Sequence, residues 1–307
     1  MTQTVSAVEV RPQSGWTGAE IHGVDLTGPL DEPEVAAIRA ALLKWKVVFF
    51  REQFIDHDAH LRFARYFGSP TPAHPLFDSI PDPAYPTIYP IFKDRFKARF
   101  TETRGYDKPG WHADVTAAVN PPAASILRAE TIPPYGGDTQ WANTVAAYDG
   151  LSEPLRKFAD TLRAVHRFTP PAGADASEDY LRRVRKRPLV SEHPVVRGHP
   201  ETGEKALYVN PGFTTHLVGV SPHESRRLLA LFYDELSRPE YTVRFRWEPG
   251  SIAFWDNRSA VHLAPQDLTL DHDRRLYRVT LVGDVPRGPD GQESVALEGE
   301  PFEAVES

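Results

Sequence analysis

Short runs of β-branched, aromatic and aliphatic residues recur along this chain, each closed by proline, glycine or a polar cluster, and such a series restricts it to a β-rich body. The runs are Lys46–Phe50, Ala124–Ala129, Thr139–Trp141, Leu162–Phe168, Val195–Arg197, Ala206–Val209, Tyr241–Trp247, Ser251–Trp255 and Arg275–Leu281. The 29 prolines are spread through the sequence, and no internal repeat is visible. Pro-Gly and Gly-Gly steps supply turns between runs.

Helical periodicity occurs in four places. Asp31 to Trp45 has Pro33 near its start and Val35, Ile38, Leu42 and Trp45 at three- and four-residue spacing, which predicts an amphipathic helix. Asp58 to Phe67 reads as a second helix. It is expected to end at Gly68, where a residue without a Cβ can turn left-handed. Glu153 to Thr161 is the third, and Pro222 to Leu236 the fourth, with Ser221 as N-cap and Leu228, Leu229, Phe232 and Leu236 on one stripe. The pattern predicts a mainly β fold with flanking helices, a sandwich or jelly-roll barrel under a helical cover.

With 307 residues the chain is long enough for one large β domain, and a single domain over 1–307 is the expectation. No apolar run approaches the roughly 18 residues of a membrane span, so no membrane partner is expected. A net charge of -7 gives no basic footprint for a nucleic-acid polymer. The absence of cysteine excludes disulfides, thiolate metal sites and thiol nucleophiles. The start, MTQTVSAVEV, lacks the charged-then-apolar pattern of a signal peptide, which makes the expected location cytoplasmic. Between residues 73 and 110 prolines and aromatics break all regularity, and Lys93, Arg95, Lys97, Arg99, Arg104 and Lys108 outnumber the acids. A long loop is expected here, with two readings for its basic stretch: a solvated surface loop, or a cationic lid over the site.

Trp111-His112-Ala113-Asp114 and, far downstream, Trp255-Asp256-Asn257-Arg258 with His262 can bring two imidazoles and one carboxylate to one metal. That is the ligand set of a non-haem Fe(II) oxygenase. His-x-Asp/Glu occurs twice, about as often as chance provides. The second, His199-Pro200-Glu201, precedes Thr202 and Gly203 and reads as a hairpin turn. At 112 and 114 the spacing would place both groups on one face of a strand. Arg274, Leu276 and Arg278 likewise share one strand face, and inward arginines call for anions. A dicarboxylate chelating the metal at one end would meet Arg274 at the other, leaving Arg278 for a second anion.

With these residues in place the chain resembles the taurine dioxygenase family of Fe(II)/2-oxoglutarate-dependent oxygenases. The likeness spans nearly its whole length. It rests on Trp-His-x-Asp-Val-Thr at 111–116, Gly136-Gly137-Asp138-Thr139 before Trp141, His199-Pro200 through Gly203 to Asn210-x-Gly212-Phe213-Thr214-Thr215, Trp255-Asp256-Asn257-Arg258 with His262, and Arg274-x-x-x-Arg278-x-Thr280. The resemblance implies a double-stranded β-helix core, iron on His112, Asp114 and His262, and 2-oxoglutarate held by Arg274 and the Thr139 hydroxyl. It also implies that O2 and 2-oxoglutarate are consumed, succinate is formed and an unactivated C–H bond is hydroxylated. Related halogenating enzymes replace the carboxylate ligand with a small residue, so Asp114 favours hydroxylation. Asp256 and Asn257 are expected to shape the turn before His262 and to orient ligands. Relatives are often dimers or tetramers, so a homo-oligomer is compatible with the resemblance, although no stripe identifies an interface.

Family members acting on sulfonates and sulfate esters contact the anion with an arginine at the position of Arg278, a histidine at that of His74 and backbone near Val115, and Phe213 would line the same pocket. Ala117 stands where taurine-cleaving relatives carry a bulky aromatic, Phe77 where they carry tyrosine and Lys108 where they carry asparagine. These departures point to a larger or differently polar small anion, with Lys108 near it. The leading expectation is hydroxylation of an alkyl sulfate or sulfonate with collapse to an aldehyde or ketone plus the inorganic anion; a phosphate ester or nucleotide is the alternative. From other classes, a non-catalytic β-barrel binding protein and a metal hydrolase remain to be separated by experiment.

Overall fold

The computed structural model describes residues 8–73, 82–92, 110–168, 182, 184–264, 267 and 272–305. Seven strands form the major sheet: β1 (Glu9–Pro12), β2 (Ala19–His22), β3 (Val47–Phe50), β4 (Tyr89–Phe92), β5 (Ala124–Thr131), β13 (Ile252–Asp256) and β15 (Arg275–Leu281), in the order β1-β2-β3-β13-β5-β15-β4. All but the β2–β3 pair are antiparallel. A three-stranded sheet, β12 (Thr242–Phe245), β6 (Thr139–Asn143) and β14 (Ala260–Leu263), provides the opposing layer beside the site. A four-stranded sheet follows, with β11 (Thr214–Leu217), β7 (Arg163–Arg167), β8 (Val190–Pro194) and β16 (Val295–Glu298); β9 (Val196–Gly198) and β10 (Lys205–Leu207) make a hairpin. This is the expected jelly-roll core.

Alternation explains why the strands read as unbroken apolar runs. Val47, Phe49, Leu127, Ala129, Ala253, Trp255 and Leu276 face inward and pack with Trp141, Val243 and Phe245. Val48, Phe50, Ala124, Ile126, Ile252, Phe254, Val279 and Leu281 face the other way, onto α1 (Glu32–Trp45) and α2 (His57–Arg65). Both faces are covered, so both registers must be apolar. Each fully buried large side chain contributes about 1.5–3 kcal/mol by leaving water. A third cluster packs under α3 (Thr144–Gly150), α4 (Glu153–Ala159) and α5 (Pro222–Leu236).

The helix signals act as anticipated in α1 and α5, where Asp31 with Glu34 and Ser221 with Glu224 form reciprocal capping boxes. At α2 the expectation fails. The helix ends at Arg65 with Tyr66 right-handed as C-cap, and its last turn tightens as Tyr66 and Phe67 donate to Phe63 and Ala64. Gly68 is not left-handed; Lys46 instead closes α1 at φ 68. The expected loop over 73–110 contains a strand, β4, at the sheet edge. Pro90 masked it, but an edge strand can lack one donor. The remainder of that stretch, including most of the basic run, lies outside the described residues. No helix among the described residues is long and apolar enough to cross a membrane.

Candidate active site

His112, Asp114 and His262 converge: one potential ligand atom from each lies within 4.8 Å of the others. The route differs from the one the spacing implied. Residues 112 and 114 do not share a regular strand; His112 forms a single antiparallel bridge with His262, and Asp114 lies in the turn that follows. His112 N–H donates to His262 O at 2.9 Å and His262 N–H donates to His112 O at 2.7 Å, which sets the two rings 4.2 Å apart. The His112 Nδ1–H donates to the Gly110 carbonyl at 2.8 Å. That bond leaves Nε2 as the lone-pair nitrogen. Gly212 packs behind the same residue, where a Cβ would lie 2.8 Å from the His112 Cβ.

Asp114 is held on every side. Its Oδ2 accepts from Ser125 Oγ at 2.6 Å, its Oδ1 faces Arg278 Nη1 at 2.5 Å, and its N–H donates to Asn257 Oδ1 at 3.1 Å. Asn257 closes the circuit by donating to Ser125 Oγ at 2.8 Å and accepting from Trp255 Nε1 at 2.9 Å. Burial pushes the Asp114 carboxyl up, but Arg278 and the two imidazoles outweigh it and hold it down at about 2. Burial, aided by His112, pushes His262 down to about 3 despite Asp114. Two imidazoles and one carboxylate at this spacing fit a divalent transition metal.

Along the inner face, Arg274 is 2 % exposed, with Nη2 3.4 Å from the Gly137 carbonyl. Burial lowers its guanidinium to about 10. Arg274 lies just before β15, and a register shift follows Arg275. Leu276 is buried and Arg278 nearly so, so the three face inward as expected. Thr139 is buried at the start of β6, and its Oγ1 accepts from Trp247 Nε1 at 3.0 Å. The hydroxyl proton is thereby directed away from the indole.

Val115 has φ 48, a left-handed backbone that a β-branched side chain enters at a cost of about 1–3 kcal/mol. Its carbonyl accepts from Ala118 N–H at 3.0 Å, closing a turn. Val115 and Ala117 pack with Leu189, and Phe213 lies against them; Phe213 is also 6.1 Å from the His112 ring. A model of the family described as "Taurine catabolism dioxygenase TauD, TfdA family" matches residues 9–280. The chain belongs to this family.

As a TauD/TfdA dioxygenase it uses Fe(II), 2-oxoglutarate and O2. It is 40% identical over 293 residues to an alpha-ketoglutarate-dependent sulfate ester dioxygenase of Pseudomonas putida, covering 93% of each chain. An alkylsulfatase of Acinetobacter baylyi is 38% identical over 292 residues, 92% of this chain and 88% of that protein. A crystal structure of a taurine dioxygenase from Burkholderia xenovorans superposes with a TM-score of 0.84 at 56% identity, covering 96% of both chains.

Of the residues anticipated in this TauD/TfdA chain, His112, Asp114, His262, Thr139, Arg274, Val115, Phe213 and Arg278 are described; His74, Phe77 and Lys108 lie outside the described residues. Asp256 pairs with His199 and Arg258 at the turn before β14, whereas Asn257 reaches the carboxylate network itself. Ser125 was missed. Its only sequence signal is a hydroxyl on the strand face that carries Leu127 and Ala129, which any strand serine can share.

Proposed function

We propose that the enzyme oxidatively cleaves alkyl sulfate esters, with His112, Asp114 and His262 as iron ligands, Arg274 and Thr139 as the 2-oxoglutarate site and Arg278 as the anchor for the sulfate. The carrying observation is the largely buried Arg278 guanidinium placed directly against Asp114. An anion meeting that guanidinium brings its ester carbon beside the three-residue centre. Support comes from the two relatives named for sulfate ester and alkyl sulfate cleavage.

Iron bound there supplies, with 2-oxoglutarate and O2, insertion of one oxygen atom into a substrate C–H bond, while the keto acid becomes succinate and CO2. The chain's part is positioning and charge. The imidazoles would offer lone pairs to the cation, and Ser125 with Asn257 keeps the Asp114 carboxylate aimed. Arg274, stripped of water, offers a fork for the far carboxylate of the keto acid, and the Thr139 hydroxyl donates to the same end. Hydroxylation of the ester carbon gives a sulfated hydrate whose C–O bond breaks: R-CH2-OSO3⁻ yields R-CHO and hydrogen sulfate. A second reading, a sulfonate releasing sulfite, is favoured by the likeness to the taurine dioxygenase structure.

Anaerobic loading with Fe(II) and 2-oxoglutarate, followed by O2 with hexyl sulfate, an alkyl sulfonate and hexyl phosphate, tests the reading. Succinate formed in step with sulfate is the expected result; sulfite from the sulfonate alone would select the second reading. Anion release without O2 would overturn both in favour of a hydrolase.

A further inference from the structure

Behind the Val115 turn lies a buried polar group that the iron chemistry does not use. His166 and His193 are both 0% exposed and Asn210 is 2% exposed, and all three act on Thr116. The His193 Nε2–H donates to the Thr116 carbonyl at 2.7 Å. Asn210 Nδ2 donates to Thr116 Oγ1 at 3.1 Å, and His166 Nδ1 shares a hydrogen bond with that hydroxyl at 2.9 Å. The circuit closes on itself: His166 Nε2 meets Thr214 Oγ1 at 3.2 Å, which accepts from Asn210 N–H at 2.9 Å. Asn210 also has a second hand, because its Oδ1 accepts from Phe213 N–H at 2.9 Å. One amide therefore fastens the turn bearing Val115 and the backbone bearing Phe213.

We propose that His166, His193 and Asn210 are positioning residues of the substrate site: they clamp Thr116, keep Val115 left-handed and set Phe213 against it. Strained backbone persists only where its surroundings over-determine it, and here Asn257 holds the residue before Val115 while the clamp holds the residue after it. The pieces come from β7, β8 and the segment between β10 and β11, none of which supplies the iron-ligand triad. Loss of the clamp should loosen the surface that meets the substrate and spare the iron and keto-acid end. This inference rests on the sulfate-ester reading.

Two substitutions of His193 separate positioning from packing. His193→Gln keeps a donor at the reach of Nε2, whereas His193→Asn reaches only as far as Nδ1, toward Ser294. The measurements are KM for hexyl sulfate, the sulfate-to-succinate ratio, the absorption of the anaerobic Fe(II)–2-oxoglutarate complex, and Tm. In His193→Asn the expected result is a KM raised about tenfold, the effect of one lost buried hydrogen bond, with a sulfate-to-succinate ratio below that of the wild type. His193→Gln should stay near the wild type, and the absorption should be retained in both. Equal KM values and ratios in the two variants, whatever their Tm, would overturn the proposal, as would loss of the iron–keto-acid absorption together with activity. A wild-type enzyme silent on every sulfate ester and sulfonate would instead sink the substrate reading, and with it the clamp's role at the substrate site.

Discussion

Arg278 Nη1 lies 2.5 Å from Asp114 Oδ1, joining the late strand β15 to the turn after His112. On the proposed reading this cation sits between the carboxylate that would hold the metal and the anionic substrate. Arg278→Gln is therefore expected to raise KM for a sulfate ester about a hundredfold, as loss of a buried charge-assisted contact does. Arg274→Gln should mainly raise the 2-oxoglutarate requirement. Steady-state kinetics with each substrate varied in turn checks the split, and equal effects of both variants on both substrates would contradict it.

Ser125 Oγ and Asn257 act through Asp114. Ser125→Ala removes the bond to Oδ2 and leaves the ligand itself intact, so Fe(II) affinity should fall about 10- to 100-fold. Alanine at His112, Asp114 or His262 should abolish metal binding. Equilibrium titration with Fe(II) under anaerobic conditions distinguishes the two degrees of loss.

Gly212 is a packing requirement of the same centre. Alanine there would bring its Cβ to 2.8 Å from the His112 Cβ, and displacing a catalytic group by about 1 Å can cost on the order of a hundredfold in rate. Gly212→Ala should lose turnover on that scale. Gly28→Ala, where a Cβ meets nothing within 4 Å, serves as the control; similar losses in both would mean that contact at His112 is not the cause.

Acid should weaken the fold well before the carboxylates protonate. Burial lowers His60 and His193 from 6.5 to about 3, and burial with His193 as neighbour takes His166 well below 6.5. The unfolded chain binds protons on these rings below pH 6.5 and the folded chain does not. Their stabilising contribution is thus complete above pH 6.5 and declines toward pH 3, by about 1.4 kcal/mol per pH unit for each ring. Urea unfolding at pH 7 and pH 5 should show the loss, and His60→Leu should reduce its slope by about one proton.

The sequence by itself determined the β-rich class, nine of the sixteen strands and four of the five α-helices among the described residues, the residue types of the proposed metal site and the family, because periodicity, capping and motif spacing are local properties; β1, β2, β4, β8, β11, β14, β16 and α3 were not legible in it. β4 escaped notice since Pro90 and its irregular neighbours hide a strand whose pairing comes only from β15. The proposed ligand set was legible, but its mechanism of convergence was not: His112 and Asp114 meet His262 through a single antiparallel bridge between distant segments and a strained turn, not through alternation along one strand. Likewise Ser125, Thr116, His166, His193 and Asn210 acquire meaning only when partners far apart in the chain become neighbours, as Asp114 and Asn257 do across 143 positions. A hydroxyl or imidazole has no readable role until folding strips its water and decides which group must replace it.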